Sequence, residues 1–252
     1  MNALGVERLH HAFGGLRAVD DVTLAVAVGE RRVILGPNGA GKTTLFNLIT
    51  GLFPPVGGTI RLFADDVTAL PPYRRARLGL GRTFQINTLF PRLTVRESVL
   101  LAVQGADPAR FSLLRPRSAY RDLARRTDDL LAEWNLEDRR DVETHELSYG
   151  EQRQVEILLA LAGRPKVLLL DEPTAGLSAA ETAAVVATIT RFPRDITVLL
   201  IEHDMDVALT LADRVTVMHQ GAVLADGTRE EIRANPRVAE IYLGADPAAG
   251  RV

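Results

Sequence analysis

Gly36-Pro37-Asn38-Gly39-Ala40-Gly41-Lys42-Thr43 fits the pattern G-x-x-x-x-G-K-[ST] at every position. Each fixed residue type has a physical reason. Glycines let the backbone turn tightly and bring N–H groups against phosphate oxygens. The helix that follows points its positive N-terminal end at the same oxygens. Lys42 is placed to reach the β- and γ-phosphates, and the Thr43 hydroxyl to ligate Mg²⁺; Thr44 completes the nucleotide-binding set. A glycine-rich turn can arise by accident, so context decides. Residues 32–35 read as a short buried strand and residues 42–50 as a helix ending near Gly51, the strand–loop–helix order that the pattern requires. Lysine is also scarce: all basic residues are arginine except Lys42 and Lys166.

A second constellation lies downstream. Val167-Leu168-Leu169-Leu170-Asp171-Glu172 is an apolar run ending in two carboxylates. The C-terminal ends of strands are where open α/β sheets bind ligands. Asp171 is placed to hold Mg²⁺, directly or through water. Glu172 is placed to polarise an attacking water. Acidic residues are common at strand ends, and it is the phosphate loop in the same domain that gives this pair its weight.

The rest of the chain alternates between strand and helix patterns. Residues 6–11, 22–26 and 59–63 read as early strands. After Pro165 come strand 167–170, helix 179–190, strand 196–201, helix 205–211 and strand 214–218. Strands separated by helices imply a mainly parallel sheet. Between the halves, residues 94–162 are dominated by helical periodicity, seen in Tyr120, Leu123, Leu130, Leu131 and Trp134. That block implies a second lobe.

Composition is ordinary for a soluble globular protein: 46% hydrophobic, 25% charged, net charge −2. Bulk charge points neither to nucleic acid nor to an anionic membrane. There is no cysteine, so disulfides and thiolate metal sites are excluded and a reducing compartment fits. Residues 1–11 show no secretory signal, and the apolar runs are too short to span a bilayer. Work at a membrane therefore requires a partner.

Leu147-Ser148-Tyr149-Gly150-Glu151-Gln152-Arg153 narrows the reading. Ser148 and Glu151 form an S-x-x-E capping box at the start of a helix, and such a helix end is an anion site. The stretch resembles the signature motif of ABC ATPases, commonly L-S-G-G-Q. Gln85, in Arg82-Thr83-Phe84-Gln85, resembles the Q-loop. Asp171-Glu172-Pro173-Thr174 resembles the Walker B end, and Ala175-Gly176-Leu177-Ser178 the D-loop. His203, in Ile201-Glu202-His203-Asp204, resembles the switch histidine, and Phe13 stands where an aromatic residue stacks on adenine. The ordered set covers nearly the whole chain.

The resemblance implies one ABC ATPase domain over residues 1–252, of P-loop NTPase fold. A RecA-like parallel-sheet core with an N-terminal antiparallel β part would occupy about 1–87 and 163–252, and a helical subdomain about 88–162. It implies ATP and Mg²⁺ as cofactors, with Thr43, Gln85 and Asp171 toward the metal. Lys42, Glu172 and His203 would be catalytic. Ser148, Tyr149, Gly150 and Glu151 would face the ATP held by a second ATPase subunit, so that each nucleotide is clamped between two chains. Three departures stand out: Tyr149 replaces the first signature glycine, Glu151 replaces its glutamine, and Ser178 replaces the usual D-loop aspartate.

Gly79-Leu80-Gly81-Arg82-Thr83-Phe84-Gln85, the Leu93-Thr94-Val95-Arg96-Glu97 run, Glu156-Ile157 and Ile241-Tyr242-Leu243-Gly244 look like the larger ATPase component of the branched-chain amino-acid uptake branch. Residues 111–117 resemble that component's insertion. Relatives of this branch serve urea, short amides and aromatic acids. The implied role is an importer ATPase at the cytoplasmic face of the bacterial membrane. It would couple to a separate permease, indirectly to a periplasmic or extracellular solute-binding protein, and to no nucleic acid. The alternatives are a soluble ABC ATPase without a transport role and a different P-loop enzyme. A single cassette without cysteine or heptad run argues against the first, and the signature and switch histidine against the second.

Overall fold

The three strands whose spacing is clearest in the sequence are buried along their whole length. β3 (Arg31–Leu35), β7 (Val167–Asp171) and β8 (Thr197–Ile201) have no exposed position. Continuous apolar strands of this kind require cover on both faces. A computed structural model describes residues 1–83, 89–107 and 117–243 of the chain and shows how that cover is built.

Before β3 come two long strands, β1 (Asn2–Phe13) and β2 (Leu16–Ala27), paired antiparallel. After it come α1 (Lys42–Thr50), β4 (Gly57–Leu62), β5 (Asp65–Asp66), α2 (Pro72–Arg77) and β6 (Leu80–Arg82). Among the described residues β1, β2, β4 and β5 form an antiparallel sheet in the order β2-β1-β4-β5. The main sheet adds β9 (Arg214–His219) and β10 (Ala222–Gly227), in the order β10-β9-β3-β8-β7-β6. Its pairs are parallel except β9–β10. Both the parallel core and the antiparallel N-terminal part agree with the sequence expectation.

Alternation along the buried strands sorts their side chains onto two faces. Ile34, Leu169, Leu199 and Ile201 pack with α1 and the antiparallel sheet in one cluster. Val33, Leu35, Leu168, Leu170, Val198 and Leu200 pack in another. The helix after the phosphate loop is thus held between two sheets, with Leu45, Phe46, Leu48 and Ile49 fully buried. Its far end is fixed by Arg75 on α2, a buried arginine that donates to the carbonyls of Leu48 and Ile49, both at 2.7 Å. A cation on the last carbonyls of a helix complements its dipole. Spacing along the chain could not mark this role, because Leu48 and Ile49 lie 27 and 26 positions from Arg75.

The second face is covered by α6 (Ala179–Thr190), α7 (Met205–Leu211), α8 (Arg229–Arg233) and α9 (Pro236–Leu243), and by Ile157 of α5 (Tyr149–Ala162). α3 (Val95–Ala106), α4 (Arg117–Glu133) and the other side of α5 share a third cluster, around Val99, Leu131, Val155 and Leu158. The middle block therefore has its own core and reaches the main sheet through α5. The bounds of α1, α6 and α7 coincide with the sequence reading. β10, α8 and α9 were not anticipated. Gln85, most of the 111–117 stretch and the tail from Gly244 lie outside the described residues.

Candidate functional site

The phosphate loop leaves the C-terminal end of β3 and enters α1 through Gly41, whose φ of 98° lies in the left-handed region. A Cβ at Gly41 would also come within 2.2 Å of the Ala18 carbonyl oxygen, so only glycine fits. No side chain caps α1, and its first turn carries no acid. The first N–H groups of a helix have no intrahelical partners, so this end is a bare set of donors. Lys42 is buried and its Nζ donates to the carbonyls of Gly36 at 2.5 Å and Pro37 at 3.1 Å. Burial lowers its pKa, while Glu172 and Asp171 oppose the shift.

A cleft of about 630 Å³ opens over the loop. It is lined by Asn38 through Thr44, by Glu172, and by Phe13 and Leu16 from the β1–β2 turn. That volume suits a nucleotide-sized ligand. Phe13 is 53% exposed, and its ring meets His11 and Phe53 edge-on at 4.7 and 5.6 Å. One face is thereby braced, and an exposed aromatic at the rim can offer stacking area. Arg17 and Gln220 also line the cleft and were not picked out from sequence.

Asp171 closes β7 and is fully buried. Arg82, at the end of β6, donates to its Oδ2 at 2.9 Å and also reaches Asn47 and Thr50 of α1. Burial holds the Asp171 carboxyl above the usual range, with Arg82 pulling the other way. Asp171 Oδ1 has no hydrogen-bond partner among the described residues. A buried carboxylate oxygen left unclaimed, with the exposed Thr43 hydroxyl at the nearby loop, is a donor set of the type Mg²⁺ takes.

Glu172 follows with φ 47°, a left-handed conformation that is costly for a residue with a side chain. Its amide donates to the Ile201 carbonyl at 3.0 Å. The turn swings its side chain off the strand and into the lining of the cleft beside Lys42. Arg153 of α5 donates to the Glu172 carbonyl at 3.4 Å and to Glu156 at 2.7 Å. The strand neighbouring β7 ends similarly: β8 runs into buried Glu202 and then exposed His203. Thr174 donates to Glu202 Oε1 at 2.9 Å. Burial pushes the Glu202 carboxyl up to about 7, against the hydrogen bonds from Thr174.

The expected residues do not all meet. The cleft gathers Phe13, Asn38–Thr44 and Glu172, whereas Ser148, Tyr149, Gly150, Glu151 and His203 do not line it. Ser148 caps α5 with the anticipated box: its side chain accepts from the Glu151 amide, and Glu151 accepts from the Ser148 amide at 2.9 Å. Ser178 caps α6 in the same way with Glu181. Glu181 Oε1 also accepts from the Gly150 amide at 3.2 Å, so the starts of the two helices are tied together. Among the described residues no cluster of metal-ligating side chains occurs, and no helix is long and apolar enough to cross a membrane.

The profile of the ABC transporter family matches residues 19–175, and that of the branched-chain amino acid ATP-binding cassette transporters matches residues 222–248. The chain is 42% identical to the high-affinity branched-chain amino acid transport ATP-binding protein BraF of Pseudomonas aeruginosa, over 96% of this chain and 97% of that one. It is 41% identical to LivG of Escherichia coli K12, named for the same transport, with the same coverage. Among solved structures, an ATP-binding cassette of an ABC transporter superposes with a TM-score of 0.85 at 30% identity, covering 97% of this chain and all of that one. The ADP conformation of such a cassette gives 0.81 at 28%. With the phosphate loop, the acidic strand end and the capped signature helix in one fold, the chain belongs to the ABC transporter family, as an ATP-binding subunit that hydrolyses ATP.

Proposed function

We propose that this subunit energises uptake of branched-chain amino acids, or of related amino acids, amides or urea, from the cytoplasmic face of a bacterial membrane. It docks on a separate permease that a solute-binding protein supplies. The support is the 41–42% identity over nearly the full chain to relatives named for branched-chain amino acid transport, together with the match of residues 222–248. Transport assays of the reconstituted complex, with leucine, urea and a short amide compared, decide among the solutes.

Mechanistically, the bare end of α1 and Lys42 hold the phosphates, while Phe13 stacks on adenine. Thr43 and Asp171 would hold Mg²⁺, with Gln85 toward the same ion as the family resemblance implies, and the bound ion would neutralise phosphate charge. Glu172 orients and polarises the water, and its strained turn fixes where that water stands. His203 hydrogen-bonds the γ-phosphate. Ser148 and Gly150 receive the γ-phosphate bound by a second subunit.

The observation that carries this reading is the separation just described. One chain offers a cleft with phosphate donors and a carboxylate, and elsewhere a helix end of the type that binds anions, so each chain completes the other's site. The experiment is light scattering on Glu172→Gln. The variant is expected to bind ATP, to lose roughly a hundredfold or more in hydrolysis, and to dimerise with ATP but not ADP. A ligand bound only by the dimer pulls the equilibrium toward it. Equal monomer fractions with both nucleotides, even beside a partner ATPase subunit, would reject the sandwich.

A further inference from the structure

Glu202 is a buried ionisable group that the chemistry above does not use. It is 0% exposed. Its backbone amide donates to the Ile34 carbonyl at 3.2 Å, on the strand that feeds the phosphate loop. Its Oε1 accepts from Thr174, two residues after Glu172, at 2.9 Å. The residue before it, Ile201, accepts the Glu172 amide, and the residue after it is His203. Glu202 therefore touches or adjoins each of the three segments that converge on the nucleotide phosphates.

A buried carboxyl group is a poor way to stabilise a fold. Its desolvation outweighs the hydrogen bonds it receives from Thr174 and from the His203 amide, and an apolar side chain of similar volume commonly does as well or better. Glu202 shows that imbalance: Oε2 is buried with no hydrogen-bond partner among the described residues, and burial raises its pKa to about 7. Glu172 adds repulsion in the same direction. A strained turn, at Glu172, lies one hydrogen bond and two residues away. A strained catalytic turn persists only when its surroundings over-determine it.

We infer that Glu202 is a positioning residue: through Thr174 it holds the turn that carries Glu172, and through the adjoining peptide it holds His203, in register with the phosphate loop. It does not touch nucleotide. The inference rests on the reading in which Glu172 and His203 act at the γ-phosphate, and it adds the element that aligns the two.

The test uses the full-length chain, with ATP affinity, steady-state ATPase and thermal unfolding measured for Glu202→Leu, Glu202→Gln and Thr174→Val. Glu202→Leu is expected to unfold at or above the parental temperature and to bind ATP within about twofold of it, yet to lose on the order of tenfold or more in kcat, because small misplacements of reacting groups are costly. Glu202→Gln keeps an acceptor for Thr174 and is expected to recover most of that rate. Thr174→Val leaves the carboxyl and removes its partner, so kcat is expected to fall several-fold at unchanged ATP affinity. Parental kcat in Glu202→Leu, with Glu172→Gln inactive, overturns the inference alone. Loss of kcat in step with loss of thermal stability in all three variants also overturns it, in favour of a purely structural role. Parental hydrolysis by Glu172→Gln overturns the reading beneath it.

Discussion

The helices that begin at Lys42 and at Tyr149 are finished in opposite ways at their N-termini. α1 has a glycine cap in a left-handed conformation, no side-chain cap and no acid in its first turn. α5 has a full Ser148–Glu151 capping box, Arg139 on Glu151 at 2.8 Å, and Glu181 from α6 on the Gly150 amide. Both ends carry the partial positive charge of a helix. The first is left with unsatisfied donors and a lysine beside them, so it can hold an anion unaided. The second already carries two carboxylates, and a phosphate arriving there has to displace or crowd one of them. The difference implies an order. On the proposed function, nucleotide would load on the phosphate loop of a single chain, and the signature end would engage only when a partner brings in the γ-phosphate together with the rest of its surface.

The sharpest way to break this contrast is to disarm the open end. Lys42→Ala removes the cation while leaving the glycine backbone intact. We expect productive ATP binding and turnover to fall by ~10²-fold or more, the loss found when one donor to developing charge is removed. Nucleotide titration and steady-state hydrolysis check this, and turnover near the parental rate would mean that the loop does not hold the phosphates.

A smaller effect is expected from Gly150→Ala. A Cβ there would stand 2.7 Å from Glu181 Oε1, so the carboxylate has to move. The open end is untouched, and ATP affinity of the single chain should stay within about twofold of parental, whereas hydrolysis, which on the proposed function needs the second chain, should drop about tenfold. If affinity and turnover fall together, the two helix ends do not have separate tasks.

How much of this contrast could be read from the chain depends on its range. Capping boxes are local: Ser148 with Glu151 was visible as S-x-x-E and formed, and the same spacing at Ser178 and Glu181, not singled out in the sequence, formed a box as well. Where caps and apolar runs coincide, as at α6, even the helix bounds were legible. β10 was not, because it is an edge strand with no fully exposed or buried alternation, and pattern alone cannot lift it above a loop. The missed site residues share a different trait. Arg82 meets Asp171 across 89 positions, Glu181 meets Gly150 across 31, and Thr174 meets Glu202 across 28. Sequence spacing carries no information about such pairs; strand order does. One hint existed: Thr197-Val198-Leu199-Leu200-Ile201-Glu202 has the same apolar-run-then-acid shape as the strand ending at Asp171, and could have marked Glu202 as buried.

The finest discrimination concerns what Glu181 does at the closed end. Its carboxylate accepts from the Ser178 amide at 2.9 Å, the Ser178 hydroxyl at 2.7 Å and the Gly150 amide at 3.2 Å. The hydrogen bonds from Ser178 and Gly150 lower its pKa, so it is an anion at neutral pH. Glu181→Gln retains the box, since glutamine serves in this role as glutamate does, and removes only the charge. If the carboxylate plugs the donors that a partner's γ-phosphate uses, its neutral form should compete less. Introduced into Glu172→Gln, the change is expected to favour the ATP-bound dimer by roughly fivefold, a modest factor because the group is near solvent and screened. A dilution series followed by light scattering reads the dimer constant directly. Raising the salt concentration should narrow the gap between the two proteins, as it does for interactions between solvent-accessible charges. A weaker dimer in the double variant would show that Glu181 braces the signature helix for its partner instead of blocking it, and the asymmetry between the two helix ends would then set only their shape and not the order in which they are filled.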